Sequence, residues 1–372
     1  MNKLKESRLF FWTIELLAFA TLIFVSTKIG FLFEPIGTFV STLFAPVLVA
    51  GFLYYIMNPL IKFLENRLKI KRIWGILLVF IVLIVLFVLL VVNLIPNLLE
   101  QLTQLIQNFP AMMKEGQKQF NLLVERPELK NIDLQKYLNE LNLSTSKFIT
   151  GAFSGVTDSL LSIIGIVSSV TIVVITVPIV LFYMFKDGEK FPKAVQRFVP
   201  LKYKEEVGSL LTDVDHTLSS FISGQAIVCL YVAVCTSLGY WAIGLPYALL
   251  LGVIAGAMDI IPYLGPWLGV TPAILIAFTR SPFEALLVAI IVIVTQVGES
   301  NIVYPLVMGK SLDMHPLTIV FILLVAGNLA GLIGMILGIP LYAVLKIVLH
   351  HLYGMVDDRR EIPLNREEID EV

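Results

Sequence analysis

A few carboxylate and amide side chains lie within long apolar stretches of the carboxyl-terminal third, where their chemistry would be unusual. Asp259 adjoins a stretch rich in proline and glycine, and Glu299 belongs to a polar patch that also holds Gln296 and Asn301. Gln296 and Glu299 are three residues apart, so a helix would place them on one face. An ionised carboxylate in apolar surroundings is costly unless it is paired or hydrated. The pattern therefore predicts a polar cavity with a carboxyl group that could exchange a proton.

Two apolar stretches in this region are too long for single straight spans. Residues 247–279 and 317–349 each comprise 33 residues, enough for a helix of about 50 Å against about 30 Å of hydrocarbon. Both contain glycine and proline, which weaken or break helices. Paired interrupted segments are typical of the substrate sites of transporters, because broken helices present backbone groups to a ligand.

These patterns together predict a substrate or ion pathway. We expect it to be lined by Asp259, Gln296, Glu299, Asn301 and Asn328. We expect the helices to break at Pro262, Gly265, Pro266, Gly269, Gly327, Gly331 and Gly334.

Plainer interpretations of the same residues stay open. The glycines and prolines also suit close packing between helices, and Glu299 would be interfacial if its span ended near Val297. The topology is open as well, since eight full crossings would place Lys310 outside. Six crossings with two re-entrant hairpins would place Lys310 inside.

The composition shows why these polar residues stand out. Hydrophobic residues make up 57% and charged residues 15% of the 372 residues, against about 25% charged in an ordinary soluble domain. The chain thus has too few polar side chains to cover a water-soluble fold. Long apolar runs cross lipid as helices whose backbone groups are satisfied internally. We predict an all-α, polytopic integral membrane protein with about eight hydrophobic segments, two of them interrupted or re-entrant.

The hydrophobic runs also predict how the chain is organised. Residues 1–95 hold three transmembrane helices, 96–159 an extracytoplasmic amphipathic helical segment, 160–185 a transmembrane helix, 186–220 a cytoplasmic amphipathic segment, 221–349 a transmembrane region with broken helices, and 350–372 a charged cytoplasmic tail. Lys and Arg are enriched in cytoplasmic loops. Because they crowd the amino terminus and residues 62–72, we expect both termini in the cytoplasm.

The external segment begins with an amphipathic pattern. Leu98, Leu102, Leu105 and Phe109 recur at helical spacing, and Pro110 is expected to end that helix. Packing on the membrane or on the protein is the favoured role. Binding of a partner protein is the alternative.

Motifs for enzymatic chemistry do not occur in the sequence. It has no H-E-x-x-H zinc site, Walker A loop or G-x-S-x-G elbow, and its four histidines lack metal-ligand spacing. Cys229 and Cys235 are six residues apart in one apolar run and are expected to be small buried residues. The net charge of −1 offers no basic surface for nucleic acid. We therefore expect no catalytic activity, metal, cofactor or nucleic-acid partner.

Several motifs, in their order and spacing, resemble the AI-2E family of bacterial membrane proteins. They are Lys186-Asp187-Gly188, the sequence I-P-Y-L-G-P at 261–266, residues 296–309, and His315-Pro316-Leu317 before the glycine-rich block. The resemblance covers nearly the whole chain. It implies an inner-membrane permease and a homo-oligomer, with a pentamer as the candidate size. Members of the family have been linked to export of autoinducer-2 and to sodium or lithium/proton antiport.

The residues and the resemblance lead to one expected function with two alternatives. We predict a secondary transporter of the bacterial plasma membrane that exports a small polar solute such as autoinducer-2. Its partners would be the lipid bilayer and a small-molecule or ion substrate. A Na⁺(Li⁺)/H⁺ antiporter is the first alternative and needs a carboxylate that titrates. A non-transporting membrane scaffold is the second, and it would use the external segment to hold a partner.

Overall fold

The computed structural model describes residues 8–28, 30–124, 171–308 and 314–357. Most of these residues are helical, and none of them forms a β-strand. The all-α fold class predicted from the sequence is therefore confirmed for the described part of the chain. The distal part of the external segment, the beginning of region 160–185, Lys310 and the end of the charged tail lie outside the described residues.

The α-helices of the described residues are numbered in chain order. They are α1 (Arg8–Lys28), α2 (Gly30–Leu68), α3 (Arg72–Leu89), α4 (Ile95–Val124), α5 (Thr171–Asp187), α6 (Phe191–Gln196), α7 (Lys204–Ala242), α8 (Ala248–Met258), α9 (Gly265–Arg280), α10 (Pro282–Gly298), α11 (Tyr304–Val307) and α12 (Pro316–Asp357). Wider π-helical turns join α3 to α4 at Leu90–Leu94 and α10 to α11 at Glu299–Val303.

Five helical stretches of the described residues are long and apolar enough to cross a membrane. They are Gly37–Leu68, Arg72–Met112, Leu201–Ala242, Pro282–Val307 and Pro316–Tyr353. Their outer faces are apolar, as a lipid environment favours; Ile81 and Ile84 of α3, for example, are more than half exposed. The structure therefore has the helices of an integral membrane protein.

Three of the eight expected hydrophobic segments are not among these five. The first is present as a shorter apolar helix, Trp12–Leu22. The second, 160–185, lies partly outside the described residues, and its described part belongs to α5. The third, 247–279, is divided between α8 and α9, which have 11 and 16 residues.

The helices α8 and α9 form a tight antiparallel hairpin. A Cβ atom added at Gly269 would lie 2.6 Å from Cα of Ala255, and one added at Gly265 would lie 2.2 Å from the carbonyl oxygen of Met258. The hairpin also presses on α7, because a Cβ at Gly256 would lie 2.5 Å from Cβ of Ala233. Glycine is needed at these places since the backbones approach too closely for any side chain.

The helix α12 also reverses direction within its length. Ala330 and Gly331 have non-helical backbone angles, and Gly331 has φ 58°, a conformation that glycine adopts readily. A Cβ added at Gly338 would lie 3.0 Å from Cβ of Ala326, whereas a straight helix would separate residues twelve apart by about 18 Å. The two halves of α12 therefore pack against each other as a second hairpin.

Helix α4 differs from the expectation at Pro110. The sequence pattern predicted that the helix ends there, but α4 continues through Pro110 to Val124. Interior proline costs about 3 kcal/mol because it removes a helical hydrogen bond. Packing offsets that cost, since Leu102 and Leu105 are buried in one cluster with residues of α8 and α9.

Polar contacts also attach α4 to the first hairpin. Nδ2 of Asn108 donates to the hydroxyl of Tyr247 at 3.0 Å, and the backbone N–H of Leu250 donates to Oε1 of Gln101 at 3.1 Å. Leu250 lies in the first turn of α8, where backbone N–H groups have no partner within the helix. The part of segment 96–159 that belongs to α4 thus packs on the protein itself.

A second core cluster joins α2, α3 and α5, and Arg72 of α3 binds the backbone of Phe185, one of its residues. Nε and Nη2 of Arg72 donate to the carbonyl oxygen of Phe185 at 3.1 and 2.9 Å. The guanidinium also pairs with Glu189 and lies 3.6 Å from Glu65. Phe185 lies in the last turn of α5, where a cation is also favoured by the helix dipole.

Replacing Arg72 with alanine is expected to lower the free energy of unfolding by about 2 kcal/mol, because hydrogen bonds from a charged group contribute about 1.5–3 kcal/mol. Thermal unfolding of the detergent-solubilised protein measures the change. Lys71→Ala removes the neighbouring exposed cation and should leave the midpoint unchanged. Equal midpoints for both variants and the wild type would show that Arg72 does not hold α3 to α5.

Candidate functional site

A cleft of about 770 Å³ opens between α7, the α8–α9 hairpin and the end of α10. Pockets of roughly 300–1,000 Å³ are typical of small-molecule sites. Most of its wall is apolar. Its polar lining consists of Gln225, Asp259, Gln296, Glu299, Ser300, Asn301, Tyr263 and Tyr304.

Asp259 lies at the inner end of this cleft. It directly follows α8 and is only 2% exposed. Its backbone carbonyl accepts a hydrogen bond of 2.6 Å from Nε2 of Gln225. Within the described residues, Oδ2 of Asp259 and Oε1 of Gln225 are buried without a hydrogen-bond partner. Two oxygen atoms at the inner end of the cleft therefore have no hydrogen-bond donor in the described part of the chain.

The sequence after Asp259 explains why the chain turns here. Pro262 has no backbone N–H to continue α8, and Tyr263 has φ 66°, which costs a non-glycine residue about 1–2 kcal/mol. Helix α9 then begins with Gly265, followed by Pro266, which suits the first turn of a helix. The turn thus holds Asp259 beside the start of α9.

The opposite wall carries Glu299 at a helical irregularity. Helix α10 ends at Gly298, and a π-helical turn follows from Glu299; such turns are frequent at functional sites. Nε2 of Gln296 donates to Oε2 of Glu299 at 2.7 Å, while Nδ2 of Asn301 donates to the carbonyl oxygen of Val297 at 2.9 Å. Glu299 is thereby held toward the cleft by its neighbour on α10.

Close contact with α7 sets the position of this wall. A Cβ added at Gly298 would lie 2.1 Å from the hydroxyl oxygen of Tyr231. That hydroxyl donates to the carbonyl oxygen of Thr295 at 3.5 Å. The absence of a side chain at Gly298 therefore lets α7 approach α10.

The structure brings most of the predicted pathway residues together. Asp259, Gln296, Glu299 and Asn301 all border the cleft. Asn328 does not border it, and lies exposed near the turn of the second hairpin.

The predicted helix-break residues have several different positions. Pro262 and Pro266 border the cleft, whereas Gly265 and Gly269 are buried in the first hairpin. Gly331 lies at the turn of the second hairpin. Gly327 and Gly334 pack between its arms, where a Cβ would lie 2.6 Å from Cε of Met335 and 2.0 Å from the carbonyl oxygen of Ala326.

Several cleft residues were not singled out from the sequence. Gln225 is the most informative, because it is the single amide in residues 217–258, a run without charge. An isolated amide in such a run is a usable signal for a buried polar contact. The aromatic residues Tyr263, Trp267 and Tyr304 gave no comparable signal, since aromatic residues are common throughout the chain.

The residues of charged type among the described lining residues are all acidic. Asp259 and Glu299 supply two carboxyl groups, and none of the described residues that border the cleft is Lys, Arg or His. No group of three potential metal ligands from His, Cys, Asp and Glu lies together in the described part of the chain. The arrangement therefore suits binding through hydrogen-bond acceptors and negative charge.

Comparison with known proteins agrees with this architecture. A family model described as AI-2E family transporter matches residues 18–354. The chain is 38% identical over 343 residues to "Putative transport protein YueF" of Bacillus subtilis (strain 168), covering 92% of each chain. It is 33% identical over 356 residues to "Putative transport protein YrrI" of the same organism, covering 94% of this chain and 98% of that protein.

A relative from another organism also matches this chain over most of its length. "Putative permease PerM" of Escherichia coli (strain K12) is 27% identical over 337 residues, covering 90% of this chain and 92% of that protein. The resemblance indicated by the sequence motifs is therefore confirmed, together with a membrane-integral architecture. The chain belongs to the AI-2E family of transporters.

Proposed function

We propose that the protein is a secondary transporter for a small polar solute and that the solute passes through the cleft between Asp259 and Glu299. The observation that carries the proposal is that Oδ2 of Asp259, in an almost fully buried side chain, has no hydrogen-bond partner among the described residues. An unpartnered buried polar atom costs about 1–3 kcal/mol. Binding of a solute would satisfy that atom, and release would free it again.

The interrupted helices support the same site. The carboxyl end of α8 and the amino end of α9 meet at the inner end of the cleft. Helix ends inside a membrane protein offer unpaired backbone groups and partial charges to a ligand. Asn328 lies near the turn of the second hairpin, and we propose that the solute meets it outside the cleft.

The lengths of the first hairpin support a re-entrant arrangement. Helices α8 and α9 have 11 and 16 residues, which correspond to about 17 and 24 Å. Both are shorter than about 30 Å of hydrocarbon. We propose that both hairpins enter the membrane and return to the same side, which leaves six full crossings. Labelling a cysteine at position 310 from each side tests this, because six crossings require access from the cytoplasm.

The family and the distribution of basic residues support proposals on the membrane, the direction of transport and the oligomer. We propose export of a solute such as autoinducer-2 from the bacterial cytoplasm, across the plasma membrane, by a homo-oligomer for which a pentamer is the candidate size. Basic residues between α2 and α3 support a cytoplasmic position for that loop and for both termini.

Flux measured with purified protein in liposomes tests the pathway. Autoinducer-2, sodium and protons are supplied in parallel, and Asp259→Asn is expected to reduce the flux of the transported solute about tenfold to hundredfold. A hydrogen bond to a charged group contributes about 1.5–3 kcal/mol, and about 1.4 kcal/mol corresponds to a factor of ten. Glu299→Gln is expected to reduce flux as well.

The control for these variants is Glu100→Gln on α4, which removes an exposed carboxylate that does not border the cleft. It should retain the flux of the wild type. Wild-type flux in both Asp259→Asn and Glu299→Gln would show that the solute does not pass through the cleft.

A further inference from the structure

The lining of the cleft points to a chemical class of solute. We propose that the cleft binds an amphipathic organic cation, that is, an amine or quaternary ammonium group carrying an apolar substituent. This inference rests on the proposed pathway through the same cleft, and it names an organic cation instead of autoinducer-2 as the solute.

The polar end of the cleft requires a positive charge or a donor. Oδ2 of Asp259 and Oε1 of Gln225 are both acceptors without a partner in the described residues, and both side chains are at least 95% buried. The carboxyl group of Glu299 adds a second acidic side chain on the facing wall. A phosphate or carboxylate solute would meet like charges with no cation among the described lining residues to offset them. An ammonium group supplies the missing charge.

The size of the cleft and its apolar wall suit an organic solute better than a bare inorganic ion. The volume of about 770 Å³ far exceeds a single ion. Beyond the carboxyl groups the wall is formed by aliphatic side chains that include Val270, Ile274, Val292 and Ile293. An apolar substituent on the cation would cover these side chains and remove them from water.

Aromatic side chains at the rim favour the same class. Trp267 and Tyr263 border the cleft and are 75% and 52% exposed. They lie on either side of Pro266 in sequence, close to the turn that holds Asp259. The faces of aromatic rings attract ammonium groups, and tryptophan does so most strongly. The rim therefore offers a first contact to a cation that then reaches the buried carboxyl group.

Equilibrium dialysis of the full-length protein in detergent tests the solute class. The probe is radiolabelled benzyltrimethylammonium, which combines a permanent positive charge with a phenyl group. We expect saturable binding, about tenfold weaker binding of tetramethylammonium, which lacks the apolar substituent, and no binding of the anion benzenesulfonate. Benzenesulfonate or uncharged benzyl alcohol binding as tightly as benzyltrimethylammonium would overturn the proposal.

Two variants connect the binding to the cleft. Trp267→Leu and Asp259→Asn are each expected to weaken benzyltrimethylammonium binding about tenfold. Trp241→Leu is the matched control, because Trp241 is also 75% exposed but does not border the cleft. Trp267 lies on the exposed rim, so Trp267→Leu is expected to fold. It therefore tests the proposal even if Asp259→Asn does not fold. Equal losses of binding in Trp267→Leu and Trp241→Leu would overturn the assignment to this cleft.

The outcomes separate this inference from the proposed function. Flux of an uncharged solute that depends on Asp259, without binding of benzyltrimethylammonium, would overturn the solute class and retain the pathway. Flux and binding that are both independent of Asp259 would overturn the two together.

Discussion

A variant carrying Ala326→Cys and Gly338→Cys is expected to form an intramolecular disulfide in nearly every molecule. The Cβ positions of these residues are 3.0 Å apart, and a small relaxation brings them to the roughly 3.5–4.5 Å that a disulfide requires. In an unbroken helix the same residues would be separated by about 18 Å, and the bond could not form. We therefore expect the disulfide to form in nearly all molecules if α12 reverses, and in none if α12 is straight.

The cross-link is measured by counting free thiols after oxidation. Both native cysteines are first replaced, as Cys229→Ala and Cys235→Ala, and the membranes are oxidised, denatured and labelled with a maleimide polymer. The hairpin variant should lose both labels. Leu218→Cys with Leu230→Cys is the matched pair, also twelve residues apart but on the continuous helix α7, and it should keep both labels. Retention of both labels at positions 326 and 338 would show that α12 is a straight rod.

Replacing Gly269 with valine is expected to destabilise the protein by about 3 kcal/mol and to abolish transport. The added Cβ would lie 2.6 Å from Cα of Ala255 and 3.2 Å from its carbonyl oxygen. A flexible side chain can avoid such a clash by changing its rotamer, but the backbone atoms of a packed helix cannot. Helices α8 and α9 must therefore separate. Overpacking of this kind costs about 1–3 kcal/mol, and more where the neighbours cannot shift.

The measurement is the thermal unfolding midpoint in detergent, followed by flux in liposomes. Gly51→Val on α2 is the control, because no described atom outside its own helical turns lies within 4 Å of the Cβ that it would add. It should retain both the midpoint and the flux of the wild type. A wild-type midpoint for Gly269→Val would mean that the arms of the first hairpin do not touch, and Asp259 would then lack the support that places it at the cleft.

These two hairpins explain why so many small residues occur late in the chain. Gly265 and Gly269 allow α8 to contact α9, while Gly256 allows α8 to contact α7. Helix α8 is thus packed on two sides, and Asp259 directly follows its last residue. Close helix packing and the cleft therefore occur together in the first hairpin.

Much of the architecture was predictable because it depends on local composition. Runs of apolar residues longer than about 20 must be helices in lipid, and the missing N–H of Pro262 favours an interruption of the helix there. Pro110 shows the limit of that local rule. Helix α4 continues through it because contacts of Leu102 and Leu105 with α8 and α9, far away in sequence, outweigh the lost hydrogen bond.

The amino-acid sequence by itself determined the membrane class, the helices and the small set of polar residues available for a site. Only the tertiary structure decided that Asp259, Gln225 and Glu299 border one cleft, that Asn328 lies apart from it, and that the interruption at Gly331 reverses the chain. The physical reason is that spacing along one helix specifies a shared face, whereas the meeting of different helices depends on how closely their backbones pack. That distance is set by contacts between glycines and side chains that no local pattern encodes.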